Sequence, residues 1–410
     1  ESVRLGELEV RDNGKLIAEM GAQTKYLAEW YRYFGGLADK VEGAVLPADR
    51  PGLLNFTRYE PLGVVALITA WNSPLLLLAW KLAPALAAGN TAVSKPSEYT
   101  SASTLEFMGL VREAGFPNGV VNCVTGFGAE VGQALVDHPD VSKVGFTGSD
   151  VAGQRIYESA AKKIMPVTLE LGGKSPNIVF EDADIESAVN ASIAGIFGAT
   201  GQSCVAGSRL YLHEDIADEF LEKMTALTRQ IVIGDPLAEE TQMGPLCTTG
   251  QLENIQREVA HAQEQGATIL AGGKQPDGMG GLFYEPTIIE CPRQDLQIVD
   301  TELFGPVLSV QRFKTEEEVL KLANDSEHGL AAGIFTRDSA RSLRMANAVQ
   351  AGIVWVNINP KTGKYLPPDA PNGLLEAYKA GTVIVNKRSM AAGYAGLDND
   401  LFYMDKTMMV

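Results

Sequence analysis

The sequence predicts an α/β fold with two doubly wound parallel-sheet domains and a bridging β-ribbon. Short β-branched runs alternate with helix-like segments along most of the 410 residues. Glycine, proline or a basic last turn closes each helical pattern. This alternation implies parallel sheets covered on both faces, whose ligands bind at the carboxyl ends of the strands.

The first series of elements lies before Gly173. Strands are predicted at 63–71, 91–96, 120–126, 141–148 and 165–173. Helices are predicted between them at 74–89, 100–115, 129–139 and 150–163. The proline-rich segment Val45–Gly63 alternates apolar residues and is predicted to be an extended ribbon outside both domains.

The same alternation restarts after Gly173. It predicts strands at 175–180, 208–213, 267–273 and 308–313, and helices at 185–201 and 218–230. We therefore predict four parts: a cofactor domain at 1–44 and 62–171, a bridging and oligomerisation ribbon at 45–61, a catalytic domain at 172–358, and an atypical tail at 359–410.

Composition and charge exclude several classes of function. The chain is 45% hydrophobic and 21% charged, with a formal net charge of −17. Nucleic acid and anionic membranes repel such a protein, so we expect neither as a partner. The four cysteines are far apart without a CxxC pair, which disfavours disulfides and a metal site. No secretory signal is visible, and we predict a cytoplasmic location.

Cys204 is the strongest candidate for a functional thiol. It lies in "GATGQSCVAGSRL", where small neighbours leave room for a substrate and for backbone N–H groups near an oxyanion. A structural cysteine in a glycine-rich bend is the alternative. Glu170, at the end of a predicted strand before two glycines, is positioned to be a general base.

Five separated motifs complete the pattern: "AWNSPLLLLAWKLAPALAAGNTAVSKPSE", "GFTGSDVAGQRI", "LELGGKSPNIVF", "GQSCVAGSRL" and "TELFGPVLSV". With these motifs in this order, residues 11–359 resemble the aldehyde dehydrogenase superfamily. The resemblance implies that Cys204 attacks the aldehyde carbon and that hydride transfer then leaves a thioester. It also implies that Glu170 activates the hydrolytic water and that Asn72, with the Cys204 N–H, holds the oxyanion.

The resemblance further implies a nicotinamide cofactor. The matching cofactor positions are Thr69, Trp71, Lys95, Ser97, Glu98, Gly128, Gly148, Ser149, Leu171, Glu302 and Phe304. Gly148 and Ser149 open a predicted helix, whose N-terminus favours a pyrophosphate. The carboxylate of Glu98 repels a 2′-phosphate, so NAD is the predicted cofactor, and Lys95 keeps NADP possible.

The expected partner is a small-molecule aldehyde, and the expected assembly is a homo-oligomer, a dimer or tetramer. Glu170 favours hydrolysis of the thioester over its transfer to coenzyme A. A chain that passes the acyl group to coenzyme A is the alternative.

The tail from about residue 359 departs from the family pattern. It resembles the end of the NADP-binding domain of proton-translocating nicotinamide nucleotide transhydrogenases, through "GTVIVNKRSM" and "GYAG". In those domains the residues matching Lys387, Arg388 and Ser389 surround a 2′-phosphate. The tail weakens the expectation of family-type oligomers. It also leaves two alternatives open: a catalytically impaired derivative that still binds a nucleotide, and an NADP-binding module supplied by the tail.

Overall fold

The computed structural model describes residues 1–357 and the backbone of two short strands beyond them. The described residues group into two compact units, Glu1–Gly172 with Val232–Cys247, and Gly173–Ile231 with the described residues from Thr248 onward. The predicted division by function, into cofactor and catalytic domains, remains a prediction.

A parallel sheet of five described strands forms the centre of the first unit. The strands of this unit are β1 (Val45–Leu46), β2 (Asn55–Phe56), β3 (Val64–Ile68), β4 (Thr91–Lys95), β5 (Val121–Cys123), β6 (Val141–Thr147) and β7 (Val167–Glu170). The spatial order of the sheet is β5-β4-β3-β6-β7. β1 and β2 pair antiparallel as a separate ribbon within the predicted segment 45–63.

Helices cover both faces of this sheet. They are α1 (Ser2–Asn13), α2 (Ile17–Gly35), α3 (Pro74–Ala87), α4 (Ala102–Glu113), α5 (Gln133–Asp137), which follows a π-helical turn at Gly128–Gly132, and α6 (Asp150–Ala161). Side chains of β3 alternate between the faces. Val65 and Leu67 pack with α3, whereas Ala66 and Ile68 pack in the cluster that includes α6.

The second unit contains a sheet of seven described strands. Its strands are β8 (Pro176–Val179), β9 (Arg209–His213), β10 (Thr268–Ala271), β11 (Thr287–Glu290), β12 (Val307–Phe313), β13 (Ala331–Phe335) and β14 (Ile353–Val356), in the order β10-β11-β12-β9-β8-β13-β14. Only β10 in this sheet of described strands pairs antiparallel. The reason is that β10 and β11 are joined by the loop 272–286, without the crossover helix that a parallel pair needs.

The helices of the second unit are α7 (Ile185–Phe197), α8 (Glu214–Thr228), α9 (Thr249–Glu264), α10 (Gln297–Asp300), α11 (Glu316–Asn324) and α12 (Ser339–Ala348). The core between the sheet and α11 and α12 includes Phe180, Phe313, Ile334, Val319 and Met345. Thr315 and Asp338 begin these two helices, because their side chains accept hydrogen bonds from N–H groups of the first turn.

The predicted fold class is confirmed, and the predicted strands form within their predicted ranges or within one residue of them. The helix predicted at 185–201 was too long. It ends at Phe197, because Ala199 and Thr200 adopt left-handed backbone conformations that an α-helix does not accommodate. The predicted helix at 129–139 was also wrong in part, because its first turn is π-helical.

None of the helices within residues 1–357 is both long and apolar enough to cross a membrane. Beyond that range the two short strands are β15 (Val383–Val385) and β16 (Thr407–Met409), which pair in parallel. The tail residues Lys387, Arg388 and Ser389 lie outside the described residues.

Candidate active site

The predicted nucleophile, Cys204, lies in the second unit, in the loop before β9. The residue is partly buried. Two backbone hydrogen bonds hold the loop: Ala206 N–H donates to the Ser203 carbonyl at 3.0 Å, and Gly207 N–H donates to the Gly195 carbonyl at 3.3 Å. The thiol is therefore carried by a loop tied to itself and to α7.

A left-handed turn leads into this loop. Ala199 and Thr200 have φ angles of 50° and 56°, and Gly201 has a φ of 70°. Each non-glycine residue in this region costs on the order of 1 kcal/mol, and such strain clusters at functional sites. A methyl group on Gly201 would lie 2.0 Å from the Gly305 carbonyl oxygen. Glycine is thus required at 201 both by its φ and by the close approach of the 305 backbone.

Gly173 joins the nucleophile loop to Glu302. Its N–H donates to Glu302 Oε1 at 2.9 Å. A methyl group on its α-carbon would lie 2.1 Å from the Cys204 carbonyl oxygen, so no larger residue fits. The structure therefore brings together two residues that were predicted from the sequence, Cys204 and Glu302.

Gln251, which the sequence analysis missed, ties Phe304 into the same region. Its Nε2 donates to the Phe304 carbonyl at 2.6 Å and lies 3.5 Å from Gln202 Oε1. Its Oε1 accepts from the Thr248 N–H at 3.3 Å, and Thr248 Oγ1 accepts from the Gln251 N–H at 3.2 Å. This capping box begins α9. The Thr-x-x-Gln spacing was visible in the sequence and is a known signature of a helix start.

Lys174 is a second group that the sequence analysis passed over. It is fully buried, and burial lowers the pKa of its ammonium group to about 8. Arg209 acts in the same direction, whereas the carboxylate of Glu302 opposes it. The carboxylate of Glu302 thus favours the charged form of Lys174 and partly offsets the effect of burial on its pKa.

In the first unit, the predicted cofactor residues follow the carboxyl ends of the parallel strands. Thr69 and Trp71 follow β3, Lys95 ends β4 and precedes Ser97 and Glu98, Gly128 follows β5, Gly148 and Ser149 follow β6, and Leu171 follows β7. In a parallel sheet these ends lie along one edge, where ligands bind. The sheet thus gathers these residues at one edge.

Lys95 and Glu98 form an ion pair at this edge. Lys95 Nζ lies 3.6 Å from Glu98 Oε2 and donates to the Pro96 carbonyl at 2.9 Å. The lysine side chain is buried, and its methylene groups pass Gly132, whereas Glu98 is partly exposed. A fixed cation and an accessible carboxylate suit neighbouring hydroxyl groups, because together they supply donors and acceptors.

Gly148 and Ser149 form the entrance to α6. Ser149 Oγ accepts from the Ala152 N–H at 3.4 Å and caps the helix. A methyl group on Gly148 would lie 2.4 Å from Phe146 Cζ, so a larger residue would displace the Phe146 ring. Leu171 packs on α6 at Gly153, where a methyl group would lie 2.6 Å from Leu171 Cδ2.

The other two predicted catalytic residues also lie in the first unit. Asn72 directly precedes Ser73, the cap residue of α3, and is 7% exposed. Glu170 ends β7, its side chain is exposed, and its carbonyl accepts from the Gly148 N–H at 3.1 Å. The amide is thus held in the interior and the carboxylate can meet water. Their catalytic roles remain a prediction.

The three other thiols differ from a reactive cysteine. Burial raises the pKa of Cys247 to about 12 and that of Cys291 to about 11, and it also raises the pKa of Cys123. Because the thiolate is the nucleophile, a raised pKa lowers the reactivity of these thiols at neutral pH.

The sequence pattern of the aldehyde dehydrogenase family matches residues 1–368. The chain belongs to the aldehyde dehydrogenase family. The pattern of the NAD(P) transhydrogenase beta subunit matches residues 369–410, so the two matches meet about ten residues after the predicted boundary. Both predicted resemblances are confirmed. The first also confirms the predicted class of enzyme, an aldehyde dehydrogenase.

Named proteins that are similar to this chain include aldehyde dehydrogenases. A (Z)-2-((N-methylformamido)methylene)-5-hydroxybutyrolactone dehydrogenase of Acinetobacter baylyi is 50% identical over 90% of this chain and 75% of its own length. The chloroplastic betaine aldehyde dehydrogenase of Beta vulgaris is 46% identical over 86% of this chain and 71% of its own length. The crystal structure of PnpE from Pseudomonas sp. is 48% identical, with a TM-score of 0.84, over 87% of this chain and 74% of its own. PnpE has also been crystallised with nicotinamide adenine dinucleotide.

Proposed function

We propose that this aldehyde dehydrogenase uses NAD to oxidise an aldehyde to a free carboxylic acid, with Cys204 as the nucleophile. The observation that carries the proposal is the nucleophile loop. It holds a partly buried thiol among small residues, and Gly173 connects it to Glu302. The family match over residues 1–368 supports the same class of reaction.

In the first step the Cys204 thiolate adds to the aldehyde carbon, and the carbonyl electron pair moves to oxygen to give a thiohemiacetal. The Asn72 amide and the Cys204 N–H would donate to this oxygen, as the resemblance to the family implies. An amide stabilises an oxyanion without surrendering a proton, and one such donor contributes about 3 kcal/mol in other acyl-transfer enzymes. The burial of Asn72 supports this role, because hydrogen bonds to charge are stronger away from water.

The cofactor proposal rests on groups that fit a dinucleotide. The N-terminus of α6, after Gly148 and Ser149, suits a pyrophosphate, and Lys95 with Glu98 suits ribose hydroxyls. Glu302 would hold the nicotinamide ribose and Phe304 would lie beside the ring. Bound NAD would supply the acceptor for the hydride that leaves the thiohemiacetal carbon. The PnpE complex with NAD supports this choice.

We propose a preference for NAD over NADP. Glu98 would hold a carboxylate beside the ribose, and this charge would repel a 2′-phosphate. Lys95 moderates the repulsion, because its ammonium group lies 3.6 Å from Glu98 Oε2.

Release of the product requires a base. Glu170 would take a proton from water as the water oxygen attacks the thioester carbon. The C–S bond then breaks, the Cys204 thiolate is restored, and the carboxylic acid leaves. The exposed position of Glu170 at the end of β7 supports this role, because the base must reach water.

We also propose a homo-oligomer that uses the ribbon of β1 and β2. Val45, Leu54 and Phe56 are largely exposed on this ribbon. Burying such apolar side chains against a second copy would remove them from water, which favours association.

The test of the function is NADH formation with a panel of aldehydes that includes betaine aldehyde. The wild type is expected to produce NADH from NAD faster than it produces NADPH from NADP, and Cys204→Ala is expected to lower the rate by about 1000-fold or more. Cys247→Ala, which removes another partly buried thiol, is the matched control and is expected to retain the rate.

Two outcomes would contradict the proposal. Absence of a Cys204-dependent signal with every aldehyde would favour the impaired derivative. Faster turnover after addition of coenzyme A, with little acid released, would favour the acyl-transferring enzyme.

A further inference from the structure

Lys15 is a buried cation without a role in the steps above. It lies just after α1 and is 3% exposed. Its Nζ donates to the carbonyl of Asn72 at 3.0 Å and to Ser73 Oγ at 3.1 Å. A buried ammonium group is costly unless hydrogen bonds compensate for its lost hydration. The Asn72 carbonyl and the Ser73 hydroxyl each accept one of these bonds.

The turn that carries Lys15 is fixed. Asn13 Oδ1 accepts from the Lys15 N–H at 2.9 Å, and Asn13 Nδ2 lies 3.4 Å from the same Asn72 carbonyl. Gly14 has a φ of 75°, and a methyl group there would lie 2.8 Å from the Pro245 ring. A packed, left-handed turn therefore presents Lys15 to Asn72.

Glu9 holds the chain three residues after Asn72. Glu9 Oε1 accepts from the Leu75 N–H at 2.9 Å, in the first turn of α3, and from Ser103 Oγ at 3.2 Å. Ser73 occupies the cap position of α3 but makes no capping bond, because its hydroxyl faces Lys15. The N-terminal segment thus holds the chain at the Asn72 carbonyl and again at the Leu75 N–H.

We propose that Lys15 is a positioning residue for the oxyanion donor Asn72. Its charge-assisted bond fixes the plane of the 72–73 peptide, and that plane sets the direction in which the Asn72 amide leaves the backbone. Charge-assisted hydrogen bonds are roughly twice as strong as neutral ones, so Lys15 can hold this peptide against the thermal motion of a loop. A donor displaced by a fraction of an ångström loses much of its effect on the transition state. The inference rests on the proposed function of Asn72.

The test is a double-mutant cycle between Lys15→Met and Asn72→Ala. Asn72→Ala is expected to lower kcat by about 100- to 1000-fold. Lys15→Met is expected to lower kcat by at least about tenfold, with the dissociation constant of NAD changed by less than about twofold. In the Asn72→Ala background, Lys15→Met is expected to have less than about a twofold further effect, because the group through which it acts is gone.

Lys163→Met is the matched control, because Lys163 Nζ likewise donates two hydrogen bonds within the first unit, to the carbonyls of Val136 and His138. It is expected to retain kcat. Ser73→Ala keeps the lysine and removes one of its acceptors. It is the second variant should Lys15→Met fail to fold, and it is expected to lower kcat by a few fold, again only when Asn72 is present.

Equal losses from Lys15→Met with and without Asn72, or an unchanged kcat in both Lys15→Met and Ser73→Ala, would overturn the inference while leaving the proposed function intact. A wild type without Cys204-dependent activity would overturn both.

Discussion

The carboxyl group of Glu9 shows how a single buried residue ties stability to pH. Glu9 lies on α1 with its side chain in the interior, and burial raises its pKa from 4.5 to about 7. The Leu75 N–H and Lys15 oppose this change but do not cancel it. Glu9 Oε2 has no hydrogen-bond partner among the described residues. An ionised carboxylate is therefore poorly compensated at this position.

We predict that the free energy of unfolding falls as the pH rises from about 4.5 to about 7. In this window the folded chain keeps a proton on Glu9 that the unfolded chain releases, so rising pH favours unfolding, and above about 7 the effect is complete. The difference corresponds to roughly 3 kcal/mol. Denaturation curves of the wild type and Glu9→Gln across this range measure it, with the wild type losing stability relative to the variant as the pH rises.

Glu7→Gln is the control, because Glu7 is exposed on the same helix. If the free energies of unfolding of the wild type and Glu9→Gln changed equally from pH 4.5 to 7, the raised pKa assigned to Glu9 would be contradicted.

A functional residue could be predicted from the sequence when its neighbours suggest its chemistry. A residue that matters because it is buried against distant parts of the chain could not. Cys204 stands among small residues, and Glu170 precedes two glycines, so the sequence pointed to both. Lys15 and Glu9 have ordinary charged neighbours in the sequence. Their importance arises from contacts with Asn72 and Leu75, about 60 residues further along the chain. No local pattern encodes such contacts.

At the scale of elements, the start of α9 supports two strained segments of the second unit. Gln251 caps this helix through Oε1 and bonds the Phe304 carbonyl through Nε2. Phe304 has a φ of 53°, which is unfavourable for a bulky side chain. The hydrogen bond from Gln251 helps to offset this strain. It also fixes the backbone just before Gly305, the residue against which Gly201 packs.

We predict that Gln251→Glu lowers the free energy of unfolding by about 1–3 kcal/mol. The carboxylate can still accept the Thr248 N–H and preserve the capping box, but it cannot donate to the Phe304 carbonyl and faces it with like partial charge. Chemical denaturation measures the change.

Gln256→Glu lies on the exposed side of the same helix and is expected to change stability by no more than about 0.5 kcal/mol. If the two variants were equally stable, the bond to Phe304 would have no structural importance.

Elements were predictable where their pattern is local. Buried strands such as β3, β4 and β6 appeared close to their predicted bounds, because β-branched runs between glycines have few alternatives. The end of α7 was not predictable, since Ala199 favours helix and nothing local to Thr200 requires a left-handed backbone. Their left-handed conformation accompanies packing of Gly201 against Gly305, about 100 residues away. The antiparallel β10 likewise depends on a long loop rather than on its own residues.

At the scale of the whole molecule, the residues proposed for catalysis are distributed over both units. Asn72 and Glu170 lie in the first unit, and Cys204 and Glu302 lie in the second. The order of the motifs along the sequence allowed the family and fold class to be predicted. The match to the transhydrogenase beta subunit at residues 369–410 was predicted from the motifs of the tail. The side chains of these motifs lie outside the described residues.

The central claim is that Cys204 carries the acyl group and Glu170 removes it. Glu170→Gln retains the size of the side chain but cannot accept a proton from water, so the thioester should accumulate. The direct measurement is peptide mass spectrometry after mixing this variant with NAD and a substrate aldehyde. We predict a single burst of NADH, equal to the enzyme concentration, and an acyl adduct on the peptide that contains Cys204. Continuous turnover by Glu170→Gln, or an adduct on any cysteine other than Cys204, would contradict the account.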